Sequence, residues 1–208
     1  MPAHTHGSTL ALVLALPLVA CAQDGAVPPE QQESASAEVE RLASELAPSM
    51  PAFGDRGHRS LGLTFEGAHS NDAVSFGPRV ALHYFLADRF EIHASLAVWG
   101  HNQDGTDAYS LNPSLGFRYH LIEREAFSLY ADIGVGLLFS NEEVPDGGTR
   151  TNFTPRAGFG ATFPIGDEGA RLDFGVRWHH ISNASTSGID DNPDRDGIGV
   201  YAGVMIPF

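Results

Sequence analysis

The sequence predicts an all-β protein, an eight-stranded antiparallel transmembrane β-barrel. Three observations point to it: apolar and polar residues alternate strictly from Ser60 to the last residue, an export-type leader precedes them, and aromatic residues gather near the ends of the alternating runs. Successive side chains of a strand point to opposite faces, so each run presents one apolar face and one face of charged and small residues. In a soluble sandwich the apolar faces would meet each other. In an outer-membrane barrel they meet lipid and the charges fill the interior. An even strand count, the leader and the aromatic strand ends together favour the barrel, as does the terminal Phe208, which lies on the apolar face and is like the C-terminal signature of bacterial outer-membrane proteins.

Taken in order, residues 1–22 read as a signal peptide. Residues 10–20 are a run of Leu, Ala and Val, too short to cross a bilayer as a helix and of the length of a signal-peptide core. Ala20-Cys21-Ala22 is a small-x-small cleavage site, whereas Leu18-Val19-Ala20-Cys21 resembles a lipobox, which leaves lipidation of Cys21 open. His4 and His6 stand where a positive n-region is expected. Residues 23–59 change to Ala, Glu, Ser and Pro and are expected to be an acidic periplasmic linker with a brief helix over 37–46.

Residues 60–208 are expected to form about eight strands of about ten residues. The lipid-facing set begins Leu61, Leu63, Phe65 and continues Val80, Leu82, Tyr84, Leu86; Phe90, Ile92, Ala94, Leu96, Val98; and Tyr109, Leu111, Leu115, Phe117, Tyr119. Then come Phe127, Leu129, Ala131, Ile133, Val135, Leu137; Phe153, Ala157, Phe159, Phe163; Leu172 to Trp178; and Ile198 to Phe208 at every second residue. Glu66, Arg79, His83, Glu91, His93, Asn112, Arg118, Asp132, Arg156, Asp173 and Arg177 have the opposite parity and are expected inside, as a compensated polar filling. Connections at 87–89, 121–126 and 164–170 are short; those at 68–78, 100–108, 140–152 and 183–195 are long. Short turns of such barrels face the periplasm, so the seventh strand, 171–182, runs outward.

Composition removes several functions. A formal net charge of −14 argues against nucleic acid, whose binding needs basic side chains. All twelve positive charges are Arg, which excludes lysine chemistry, and the single cysteine excludes a disulfide framework within the chain. Eight strands leave an interior filled by side chains, so a pore is disfavoured.

The chemistry is concentrated in the run Arg177-Trp178-His179-His180-Ile181-Ser182-Asn183-Ala184. His180 and Ser182 share the apolar face with Leu172, Phe174, Val176 and Trp178, at the outer end of the seventh strand. A base and a hydroxyl on a lipid-facing surface suit an enzyme that attacks lipid. Residues i and i+2 of a strand lie about 7 Å apart on one face, from which an imidazole can reach a serine oxygen and activate it as a nucleophile. Asp194 and Asp196 share the outward parity of the final strand, and either could orient the imidazole. Backbone N–H groups at Asn183 and just beyond could form an oxyanion hole. His179 has inward parity and is expected to be an interior hydrogen-bonding residue.

His180-Ile181-Ser182-Asn183-Ala184, followed by Asn192-Pro193 and a carboxylate before the last strand, resembles the lipid A 3-O-deacylase (PagL-type) family of outer-membrane enzymes. The resemblance covers about the last forty residues, with a catalytic segment at 178–197. It implies an eight-stranded barrel with a Ser-His-acid triad at the outer leaflet, acting on lipopolysaccharide and removing the ester-linked 3-position acyl chain of lipid A without a metal or other cofactor. By the same resemblance Ser182 is the nucleophile, His180 the base, and Asn183 a contributor to the oxyanion hole. The sequence departs from the family in having Asp for Glu, with Asp194 and Asp196 both eligible, and Ser185 where many relatives have Gly near the second oxyanion donor.

The segment Asp190-Asp191-Asn192-Pro193-Asp194-Arg195-Asp196-Gly197 also resembles part of a calcium loop, but Gly203 stands where the bidentate Glu is expected. Two classes of function are therefore carried forward: a serine esterase of the lipopolysaccharide leaflet, and a non-catalytic barrel with a structural or surface role. A homodimer is left open. The classes differ in whether His180 and Ser182 are needed for an effect on lipid A.

Overall fold

The computed structural model describes residues 50–188 and 192–208, together with Glu38. The chain divides into the units Met1–Pro48 and Ser49–Phe208, and the strands of the described residues lie in the second. The expected signal peptide, Cys21, the linker up to residue 49 and the helix at 37–46 lie outside the described residues apart from Glu38, as do Asp190 and Asp191 of the calcium-like loop.

Among the described residues strict alternation produces nine strands: β1 Arg59–Ser70, β2 Ala73–Ala87, β3 Phe90–Gln103, β4 Ala108–Arg124, β5 Phe127–Ser140, β6 Thr151–Phe153, β7 Arg156–Ile165, β8 Ala170–Ile181 and β9 Arg195–Pro207. Each pairs antiparallel with its neighbours, and β9 pairs with β1 from Ser60↔Pro207 to Ser70↔Gly197, which closes the ring. β6 and β7 both pair with β5 and are two halves of one stave, so the barrel has eight staves. The stave breaks at Thr154-Pro155, where proline has no N–H to offer the ladder.

The expected faces hold. Phe65, Ile133, Phe159 and Val200 are about three-fifths exposed on the outside, amid a continuous belt of Leu, Val, Phe and Tyr. Soluble proteins rarely expose more than a few hundred Å² of contiguous apolar surface, whereas a closed barrel in lipid must. The interior is polar and densely hydrogen-bonded. Glu66 accepts two hydrogen bonds from Arg79, at 2.7 and 2.9 Å, and one from Arg177 at 2.8 Å. Arg177 also donates to Asp132 at 2.9 Å, and Arg118 to Asp173 at 3.0 Å. Tyr130 donates to Asp173 and meets the Tyr201 hydroxyl at 2.6 Å, with Arg118 and Arg177 lying 4.2 and 3.9 Å over the two rings. Glycine makes room for them: a Cβ at Gly160 or Gly175 would fall 2.3 Å or 2.1 Å from a tyrosine hydroxyl.

Two corrections concern the ends of the barrel. The long outer loops expected at 68–78 and 100–108 shrink to residues 71–72 and 104–107, because the strands continue past the apolar belt. Their polar composition reads as loop, yet His101 links Ser75 and Ser110 across three strands at 2.8 Å each, which keeps the ladder intact. Long connections remain between β5 and β6 and between β8 and β9.

At the opposite end, residues 50–58 are packed structure although their composition placed them in the linker. Phe53 stands edge-on to His58, Phe85 and His120 at 5.2–5.6 Å, and Arg171 lies 4.0 Å over its ring. Backbone hydrogen bonds from Gly57 to Phe85, Phe85 to His58 and Arg89 to Gly54 fasten this turn to the β2–β3 end.

Candidate active site

The site is built on the last hairpin, where β8 and β9 emerge at the long-loop end. The register pairs Trp178 with Ile198, His180 with Asp196 and Ile181 with Arg195. Outward parity on both strands then brings His180 and Asp196 together. His180 Nδ1 lies 3.0 Å from Asp196 Oδ1, and the same oxygen accepts a hydrogen bond from Trp178 Nε1 at 2.7 Å. The Trp178 indole is stacked on His180 with ring centres 5.6 Å apart, so the imidazole is held on one side by an aromatic ring and at one nitrogen by a carboxylate. With its proton on Nδ1, directed to Asp196, the ring presents Nε2 as the basic nitrogen.

Ser182 follows on the same face, immediately after β8. It forms an antiparallel bridge with Phe153 of β6: the Phe153 N–H donates to Ser182 O at 2.8 Å, and the Ser182 N–H donates to Phe153 O at 3.2 Å. The His180 N–H donates to Pro155 O at 3.1 Å. The break in the sixth stave thus forms the wall beside the His180 and Ser182 backbone. Ser182 is 9% exposed, and among the described residues its hydroxyl makes no hydrogen bond to His180. Such contacts are often loose before substrate binds.

Beyond Ser182 the chain turns sharply. Asn183 is buried, its N–H donates to Asn192 Oδ1 at 2.8 Å, and its carbonyl accepts from the N–H and hydroxyl of Thr186. Ala184 and Ser185 both adopt left-handed backbone, φ +53° and +57°, which non-glycine residues seldom do. Such strain clusters at functional sites, and here it sets the Ala184 and Ser185 N–H groups directly after the candidate nucleophile. Ser185 is exposed on this turn.

Asp194 is not paired across the hairpin with His180, yet it is close. Ligand atoms of His180, Asp194 and Asp196 all lie within 4.8 Å of one another. The next residue, Arg195, is buried and turned the other way. Its Nη2 donates to Asp72 at 3.1 Å and to Gln103 at 2.9 Å, tying β9 to the β1–β2 turn and to β3. Arg195 and the Ser70 hydroxyl outweigh the slight burial of Asp72 and hold its carboxyl below the usual carboxylate range. His179 is inside, stacked on Trp99 at 5.2 Å; among the described residues its ring has no hydrogen-bond partner, contrary to the sequence expectation.

Sequence reasoning missed three contributors. Trp178 reads from the sequence only as a lipid-facing residue, although its indole N–H is a donor that an outward carboxylate on the next strand can accept. The role of Phe153 depends on the stave break, signalled by Pro155 within a strand-like run. Asn192 was noted as part of the motif without its hydrogen bond to Asn183.

Residues 61–204 match the family described as "Lipid A 3-O-deacylase (PagL)". Among solved structures, the barrel is similar to Neisserial surface protein A, with a TM-score of 0.54 and 17% identity over 73% of this chain and 96% of that one. It is also similar to the outer membrane protein OprG from Pseudomonas aeruginosa, with a TM-score of 0.53 and 14% identity over 77% and 99%. The outer membrane enzyme PagL aligns with a TM-score of 0.43 and 18% identity over 71% and 99%. No curated protein matches the sequence. The first two likenesses give the fold, a closed antiparallel β-barrel, and the family match over more than half the length of this chain gives the membership: the chain belongs to the lipid A 3-O-deacylase (PagL) family.

Proposed function

We propose that the protein is an outer-membrane serine esterase that removes the ester-linked 3-position 3-hydroxyacyl chain of lipid A at the outer leaflet. The observation that carries this reading is the His180–Asp196 pair, on the lipid-facing surface and two residues from Ser182, in a member of a lipid A deacylase family.

The chemistry uses two displacements. Ser182 Oγ attacks the ester carbonyl while His180 Nε2 takes its proton, and Asp196 stabilises the imidazolium that results. The tetrahedral oxyanion is held by backbone N–H groups of the turn. Ala184 and Ser185 are the best placed, because the Asn183 N–H is engaged by Asn192 in this structure. Collapse expels the sugar alkoxide, which receives the proton from His180, and leaves an acyl-Ser182 ester. Water, deprotonated by His180, then releases the 3-hydroxy fatty acid and regenerates Ser182. These groups supply the whole route, with Asp196 as the orienting acid in preference to Asp194.

The lipid-facing site gives direct access to an acyl chain lying along the barrel wall. A leader at 1–22 would deliver the chain to the periplasm, with residues 23–49 as its tether. No comparison supports the homodimer that the sequence left open.

Mass spectrometry of lipid A from membranes carrying the wild type or Ser182→Ala tests the proposal. Loss of one 3-hydroxyacyl mass with the wild type alone is expected. The same loss with Ser182→Ala would remove the triad mechanism, and unchanged lipid A with a folded, inserted wild type would favour the non-catalytic barrel.

A further inference from the structure

One imidazole needs one carboxylate to orient it, and this site offers two. His180, Asp194 and Asp196 present a ring nitrogen and two carboxylate oxygens within 4.8 Å of one another, on a face open to solvent and headgroups. We propose that these three residues form a binding site for a zinc-class divalent ion, and that its occupation switches the esterase off. The inhibitory half of the proposal rests on the triad reading above.

Charge and ligand type select the ion. Two carboxylates bring two negative charges, which a divalent ion neutralises. An imidazole nitrogen among the ligands favours zinc over magnesium or calcium, which prefer oxygen alone. Three protein ligands leave a fourth position for water, a headgroup oxygen or phosphate. The hairpin fixes the geometry in advance. Asp196 is held by the Trp178 N–H at 2.7 Å, and the cross-strand pair sets His180 opposite Asp196. The adjacent cation does not compete, because Arg195 is directed inward to Asp72 and Gln103.

The second candidate trio in the barrel, His83, Glu91 and His93, is a poorer site. It is buried, and Arg118 Nε already stands 3.8 Å from Glu91. A divalent ion there would add charge beside a guanidinium in a low-dielectric interior.

Inhibition follows from the proton count on the imidazole. A neutral ring carries one proton, and a metal on Nδ1 obliges that proton to sit on Nε2. Nε2 then cannot accept the proton of Ser182, and Asp196 is drawn from the imidazole to the metal. Removal of the ion returns the proton to Nδ1 and the hydrogen bond to Asp196.

The experiment uses the full chain folded in detergent and stripped with a chelator. Zinc chloride is titrated calorimetrically into the wild type and Asp194→Asn, and lipid A deacylation by the wild type is followed at the same zinc concentrations. Asp194 is exposed, and heat-modifiable migration checks that the variant folds. The expected result is one zinc ion bound at this site, at least about tenfold weaker in Asp194→Asn. Deacylation should fall along the wild-type binding curve and recover with chelator, while magnesium chloride has no effect. Equal zinc affinity in the two proteins would overturn the site. Zinc binding that leaves deacylation unchanged, or raises it, would overturn the switch. A stripped wild type that cleaves no lipid A would count against the esterase reading and the switch together, while the affinity difference would still decide the site.

Discussion

His180 and Asp196 face each other across the last hairpin of the barrel, Nδ1 to Oδ1 at 3.0 Å, on the surface that meets lipid. The contact spans sixteen residues of sequence and exists because β8 and β9 are in a register that pairs these two positions. It leaves Nε2 of the imidazole for chemistry.

Removing the nucleophile or the base should abolish the reaction. Ser182→Ala and His180→Asn are each expected to lower kcat by roughly 10³-fold or more, since a triad acts as a unit. Both should migrate as folded, heat-modifiable barrels, and release of 3-hydroxy fatty acid from purified lipid A is the readout.

The two carboxylates should separate. Asp196→Asn is expected to cost on the order of 10²–10⁴ in kcat, because the amide cannot hold the imidazole in the required tautomer. Asp194→Asn should cost less than about threefold in the absence of zinc. Trp178→Phe, which keeps the ring and deletes one hydrogen bond to Asp196, should lower kcat by roughly three- to tenfold. The order Asp196→Asn, then Trp178→Phe, then Asp194→Asn in a kcat series is the check; a reversal of the two aspartates would move the orienting role to Asp194.

The interior network should matter for stability. Glu66→Ala leaves Arg79 and Arg177 without their shared carboxylate in the barrel interior and is expected to destabilise by about 3–5 kcal/mol. Urea unfolding in lipid vesicles measures it, and an unchanged midpoint would show that water replaces the carboxylate at no cost.

The Asp72 contact should impose a pH dependence on the outer rim. Its folded-state pKa is depressed, so the contribution to stability is present above the unfolded value and is lost as pH falls through the folded one. The carboxylate is nearly half exposed, so the effect is small. Thermal unfolding of the wild type and Asp72→Asn should differ by a constant amount at neutral pH and converge in acid. Convergence on the alkaline side instead would contradict the assignment.

Much of this molecule was legible in its residues. A period of two over about 150 residues fixes which side chains face out, and membrane insertion leaves a closed barrel as the way to satisfy every backbone group of so many strands. The outward Phe65, Ile133 and Phe159, and the inward Glu66, Arg177 and Asp132, follow from parity alone. Ser182 and His180 were legible for the same reason, as polar residues on an apolar face beside a motif. The loop lengths were less so, since His101 and the serines it bridges have a loop composition in a strand.

What composition and spacing determine, then, is the barrel, its two faces, and the side and end on which His180 and Ser182 stand. The tertiary structure decides what those residues touch. Asp194 and Asp196 have the same parity, and only the β8–β9 register distinguishes the carboxylate opposite His180 from the one two residues earlier. The Phe153 backbone meets Ser182 only because the sixth stave breaks at Pro155, and Phe53 packs under the barrel only because Phe85 and His120 converge there. Parity is local, a consequence of one chain's own pleat. Register and packing depend on strands distant in sequence, and they are settled when the ring closes.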